Sequence, residues 1–113
     1  MASHILRFRQ ADRNIFDDVR SGKKTVETRA ATVKFRNIKP GDAVIFICGS
    51  DKFEKEVQSA ETFKGIAEML TKHNIGDIAP SLTNKEELEK MYYSFPGYRE
   101  KIEQFGLIAL KFA

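Results

Sequence analysis

Ile38-Lys39-Pro40-Gly41-Asp42-Ala43-Val44-Ile45-Phe46-Ile47-Cys48 holds a turn followed at once by a strand, and it sets the class of the fold. Pro40 fixes its own φ and Gly41 permits a positive one, so the chain turns here. Ala43–Cys48 is then a continuous apolar run of strand length, rich in β-branched and aromatic side chains, which predicts a central strand covered on both faces. Toward the N-terminus, His4-Ile5-Leu6-Arg7-Phe8-Arg9 alternates with period two, the pattern of a strand with one wetter face. Between these, Ile15, Phe16 and Val19 recur at helical spacing over Asp12–Ser21, with Gly22 as a C-terminal stop.

Lys23–Arg29 reads as extended because β-branched Thr25, Val26 and Thr28 are spaced among charged residues; alternation places Thr25, Glu27 and Arg29 on one side and Lys24, Val26 and Thr28 on the other. Ala30–Asn37 fits loop or strand. Beyond Cys48, Lys55–Thr62 is a further strand candidate, and Phe63, Ile66, Met69 and Leu70 follow helical spacing until Asn74 and Gly76 interrupt it. Thr83-Asn84-Lys85-Glu86 has the form of a capping box, opening a helix from Asn84 to about Tyr93. Pro96-Gly97 is a turn, Tyr98–Gln104 is expected to add a helical turn, and Leu107–Phe112 is expected to close the chain as a strand. Strands at both ends with helices between them predict an α+β domain built on a small, largely antiparallel barrel or curled sheet. No linker, repeat or low-complexity tract divides the 113 residues, so residues 1–113 are expected to form one domain.

Hydrophobic residues make up 42% and charged residues 31%, the balance of a globular chain rather than a disordered or fibrous one. Cys48 is the sole cysteine, and neither a leader nor an apolar run of spanning length is present, so a cytoplasmic protein without a membrane partner is expected. The net charge of +3 is unevenly spread: residues 1–50 carry ten Lys or Arg against five Asp or Glu, whereas residues 51–113 carry nine against eleven. A local basic excess raises encounter rates with anionic partners such as nucleic acid.

His4, His73 and Cys48 have no metal-ligand spacing to one another, and Cys48 ends an apolar run where a buried, inert thiol is expected. The glycines are scattered singly and form no phosphate-cradling loop, so neither a metal nor a nucleotide cofactor is expected. The polar cluster Lys24, Thr25, Glu27, Thr28 and Arg29 therefore carries the chemistry. A lysine desolvated beside a carboxylate can act as base or nucleophile; spacing alone favours instead a solvated rim in which Lys23 and Lys24 face water and Glu27 pairs with Arg29.

Gly22-Lys23-Lys24-Thr25-Val26-Glu27-Thr28-Arg29, followed by Ile38–Asp42 and the strand Val44–Ile47, resembles the glycine-x-lysine-threonine-x-glutamate-x-arginine run of the ASCH domain family. Met91-Tyr92-Tyr93-Ser94-Phe95-Pro96-Gly97-Tyr98 and Phe105-Gly106 before the closing strand resemble the family's small stand-alone members. The resemblance implies a PUA-like β-barrel with a cleft lined by Lys24, Glu27 and Arg29, and RNA or a nucleoside or nucleotide as ligand. It also implies two alternatives. One is amide hydrolysis on N4-acetylcytidine, with Lys24 at the hydrolase lysine, Glu27 where that subgroup has its threonine, and Thr25 or Thr28 left to take the threonine's part. The other is ribonuclease action. Among the aromatic residues able to stack on a base, Tyr93 and Tyr98 are preferred to Tyr92, which shares an apolar helix face with Leu88; Arg7 and Arg9 lead the candidate phosphate contacts.

Overall fold

The computed structural model describes residues 2–112. Its strands are β1 (Ser3–Phe8), β2 (Val26–Ala30), β3 (Ala43–Cys48), β4 (Asp51–Phe63) and β5 (Leu107–Phe112). Helix α1 (Arg13–Ser21) follows a single 3-10 turn, and α2 (Ile66–Met69), α3 (Ile75–Ile78), α4 (Lys85–Tyr93) and α5 (Tyr98–Phe105) fill the long excursion between β4 and β5. The sheet order is β1-β3-β4-β5-β2, with only β1 and β3 parallel. The sheet curls into a half-barrel with helices around it, a small α+β barrel of the PUA-like kind. Its two edges are β1 and β2, which matters below because each leaves one side unpaired.

β5 is the strand that organises the core. Ile108, Leu110 and Phe112 pack inside the half-barrel with Leu6, Phe16, Val19, Val44, Phe46 and Val57. Leu107 and Ala109 face the opposite way, against Val26, Ile66, Met69, Ile78, Leu88, Tyr92 and Ile102 under the helices. One strand thus separates two apolar layers, and burying each large side chain stabilises the fold by roughly 1.5–3 kcal/mol. Stacked Phe46 and Phe53, with ring centroids 4.7 Å apart, consolidate the inner layer.

Several expectations are corrected. β3 is not buried on both faces: Val44, Phe46 and Cys48 are fully buried, while Ala43, Ile45 and Ile47 are half-buried, because only one face of β3 joins an apolar layer, whereas β5 has a layer against each of its faces. β4 runs on to Phe63, so the following helix is only Ile66–Met69; pairing of Phe63 with Leu107 outweighs its helical spacing. The capping box shifts by one residue: Asn84 is the N-cap, its side chain accepting from the Glu87 N–H at 2.9 Å, while Glu87 in turn accepts from the Thr83 N–H and hydroxyl. Ala30–Asn37 is strand only at Ala30 and otherwise loop and turn. The Cys48 thiol is buried, and the Gly22 N–H closes α1 on the Val19 carbonyl. No helix among the described residues is long and apolar enough to cross a membrane.

Asp42 fastens β1 to the turn before β3. Its carboxylate accepts the N–H groups of Ala2 and Lys39 at 3.2 and 3.0 Å and lies 2.8 Å from the His4 ring. The His4 contact first, then the two N–H groups, lower its pKa from 3.8 to about 2. The folded value lies below the unfolded one, so this stabilisation is complete above the unfolded pKa and disappears as pH falls toward 2. Accordingly, the difference in urea midpoint between wild type and Asp42→Asn should close between pH 5 and pH 2; a gap that stays constant would rule this role out.

Candidate functional site

Between the two edge strands lies a cleft of about 550 Å³, lined by Arg7, Phe8 and Arg9 from the end of β1, by Lys24, Glu27, Thr28 and Arg29 around β2, and by the ends of α1, α3, α4 and α5. The β2–β5 register explains how β2 contributes so much. Glu27 and Arg29 oppose Leu110 and Ile108 and so share the inner face, whereas Thr28 opposes Ala109 and faces the helices. Because β2 is an edge strand, the cleft beside it receives side chains from both faces.

Lys24 precedes β2 and is freed from its alternation. Its N–H donates to the Asp18 carbonyl, closing the chain over the end of α1, and its ammonium donates to the Ile78 carbonyl at the end of α3. This brings Nζ to 3.3 Å from the Glu27 carboxylate, so Lys24 and Glu27, expected on opposite sides, meet. Glu27 is held by three neighbours: one oxygen accepts the Thr28 N–H at 3.1 Å besides facing Lys24, and the other accepts Nε and Nη2 of Arg29 at 3.4 and 3.3 Å. The Arg29 guanidinium lies 4.9 Å from the Phe8 ring and 5.7 Å from that of Phe35, a cation–π setting that fixes its plane. Lys24 and Glu27 are only 5% and 4% exposed, so these are buried ion pairs and not the solvated rim that spacing alone allows; Lys23 is the one in solvent.

Burial pushes the Lys24 pKa below its ordinary value, with Glu27 pulling it back up. The Thr28 and Tyr92 hydroxyls bond to each other beneath the cleft, and burial raises the Tyr92 phenol pKa well above normal. Tyr98 lines the cleft and accepts the Ala30 N–H at 3.2 Å through its hydroxyl; burial raises its pKa as well.

Of the residues singled out from sequence, Lys24, Glu27, Thr28, Arg29, Arg7, Arg9 and Tyr98 line this one cleft. Thr25 and Tyr93 do not. Thr25 is fixed by backbone hydrogen bonds to Asp77 and Phe112, and Tyr93 is 40% exposed under Arg99. Tyr92, ranked behind both other tyrosines, is in the wall. Asp18 and Lys101 also line the cleft, and no motif marked them: each comes from a helix whose position only tertiary packing sets. Among the described residues no three or more His, Cys, Asp or Glu are grouped to hold a metal.

In fold the chain is similar to two solved structures. The crystal structure of the hypothetical protein PH0355 superposes with a TM-score of 0.82 at 28% identity, over 99% of this chain and 97% of that one. The solution NMR structure of protein PF0455 from Pyrococcus furiosus superposes with a TM-score of 0.73 at 24% identity, over 97% and 94%. The half-barrel is related to both. No family profile and no curated protein matches the chain.

Proposed function

We propose that this chain is an RNA- or nucleotide-binding domain of the ASCH type, with a base or nucleoside held in the cleft over Lys24, Glu27 and Arg29. The observation that carries this reading is the convergence of those three side chains, Lys24 and Glu27 buried and Arg29 partly so, on one concave site that is also lined by the exposed Arg7, Arg9 and Lys101. A pocket of this volume suits a nucleoside, the exposed arginines suit its phosphates, and Tyr98 offers a ring face for stacking.

Binding to a mixed RNA pool should weaken steeply with salt. Arg7→Ala and Arg9→Ala, both at exposed positions, should each reduce the slope of log K against log salt by about 1, while Arg29→Ala and Lys24→Ala should weaken binding further by disturbing the base site. Absent or salt-independent binding, measured by fluorescence anisotropy, would count decisively against the reading.

A second reading, amide hydrolysis on an acylated cytidine, draws on the lowered pKa of Lys24 beside Glu27. A neutral Lys24 amine would take a proton from the water attacking the acyl carbon and return it to the departing cytidine N4, with Glu27 and Thr28 orienting it. Incubation with N4-acetylcytidine should then release cytidine and acetate; no cytidine on chromatography at high protein concentration dismisses it. Recovery of intact RNA from the same protein would dismiss ribonuclease action.

A further inference from the structure

Three aromatic rings and a guanidinium form a series along the wall of the cleft. The Tyr92 and Tyr98 ring centroids are 6.3 Å apart, those of Tyr98 and Phe95 are 5.5 Å apart with the planes at 81°, and the Arg9 guanidinium lies 5.7 Å from the Phe95 centroid. All four residues line the cleft, and burial falls along the series: Tyr92 is buried, Tyr98 and Phe95 are half-buried, and Arg9 is exposed. Hydroxyl contacts tie Tyr92 to Thr28 and Tyr98 to the Ala30 N–H. Phe95 is placed by its backbone instead, its N–H donating to the Tyr92 carbonyl and its carbonyl accepting the Tyr98 N–H in the turn from α4 to α5.

Phe8 is a second ring of the cleft that is covered by a cation, and the two covers differ in how firmly they are held. Phe8 packs on Phe16 and Phe46 of the inner layer, and its cation, Arg29, is partly buried, makes two hydrogen bonds to Glu27 and also lies beside Phe35. That guanidinium is built into the wall. Arg9 bonds only Asp12, through Nε at 2.8 Å, and its two Nη groups make no hydrogen bond among the described residues. An exposed cation–π contact favours an equilibrium by no more than about fivefold, whereas a base stacked on an aromatic ring contributes about fivefold to a hundredfold. The base therefore wins the Phe95 ring, and the Nη groups of Arg9 turn to the phosphate that accompanies it.

We infer that Phe95 is a further base-stacking residue of the cleft, and that an incoming base takes the place over its ring that Arg9 holds. This rests on the proposed role of the cleft as a base site and names a residue that grips the ligand.

The test separates bases from phosphates. A labelled mixed-sequence RNA pentamer and a labelled abasic sugar-phosphate pentamer of the same charge are titrated at fixed salt with the full chain, Phe95→Leu and Phe95→Trp. Leucine keeps an apolar side chain without a π face, whereas tryptophan keeps the face and, in a chain with no other tryptophan, reports on it by fluorescence. Phe95→Leu should bind the RNA pentamer about tenfold more weakly and the abasic pentamer within about twofold of wild type. Phe95→Trp should keep its RNA affinity, and its emission should be quenched by unlabelled RNA pentamer but not by the abasic one. Unchanged RNA affinity in Phe95→Leu overturns the inference, as does an equal loss for both pentamers, which marks a packing role alone. RNA that binds Phe95→Trp without quenching it overturns the inference too. If wild type holds the two pentamers equally, or holds neither, the base-site reading itself fails and this inference falls with it.

Discussion

Replacing Glu27 with alanine should destabilise the protein by about 3–5 kcal/mol at neutral pH, although the residue belongs to neither apolar layer. Its carboxylate sits between the buried Lys24 ammonium and the partly buried Arg29 guanidinium, and removing it leaves two like charges near each other without the carboxylate that pairs with both. Glu27→Gln should cost less, because the amide oxygen can still accept from Arg29 or the Thr28 N–H. The pH dependence gives a second readout. Burial holds the Lys24 pKa below its unfolded value of 10.5, so over the interval between the two the unfolded chain binds more protons and stability rises with pH. Glu27 is what pulls the folded value back up, so its loss widens that interval, and the deficit of Glu27→Ala should shrink as pH climbs from 7 toward 10. Lys24→Met should lack the rise. Urea unfolding of the three proteins at pH 7, 9 and 10 would reveal this; parallel curves for wild type and Lys24→Met would show that Lys24 is not desolvated in the way the geometry requires.

Gly106→Ala should destabilise by roughly 3 kcal/mol or more, enough to lower the melting temperature by over ten degrees or to prevent folding. Gly106 joins α5 to β5 at φ 76°, ψ −162°, a region essentially reserved for glycine. A Cβ there would lie 2.2 Å from the Phe63 carbonyl oxygen, which is backbone and cannot swing away. The same turn holds the end of β2, since the Gly106 carbonyl accepts the Ala31 N–H at 2.9 Å, so the damage should reach the cleft. Gly76, which has neither a positive φ nor a neighbour within 4 Å of an added Cβ, supplies the control. A Gly106→Ala melting temperature within a degree or two of that of Gly76→Ala would refute the argument.

How far the sequence could be read depended on whether the governing interaction is local. Helix α4 was legible because Leu88 and Tyr92 are one turn apart and polar residues cap its start, yet the cap itself was misplaced by one residue. Thr83 and Asn84 are both good caps, and only the path of the incoming chain chooses between them. The length of β4 was underestimated because its first four residues, Asp51-Lys52-Phe53-Glu54, are too polar to stand out; pairing with β3 supplies the missing preference. The continuous apolar run Ala43–Cys48 reads as a doubly covered strand, but the helices that form the second apolar layer pack against β5 and not against β3, which sequence alone does not reveal.

The cleft divides along the same line. Glu27 and Arg29 fall on one face of β2 by simple alternation, a consequence of local backbone geometry that residue order alone dictates. Lys24 joins them only because the carbonyls of Asp18 and Ile78, 6 and 54 residues away in sequence, catch its backbone N–H and its ammonium. The sequence by itself determined which residue types were at hand, the basic N-terminal half and most of the strands and helices, since these follow from periodicity and turn chemistry within a few residues. Tertiary structure alone decided that β1 and β2 would be the two open edges, that Asp18 and Lys101 would reach the space between them, and that Thr25 and Tyr93 would not, because each depends on contacts between distant segments that no short-range pattern encodes.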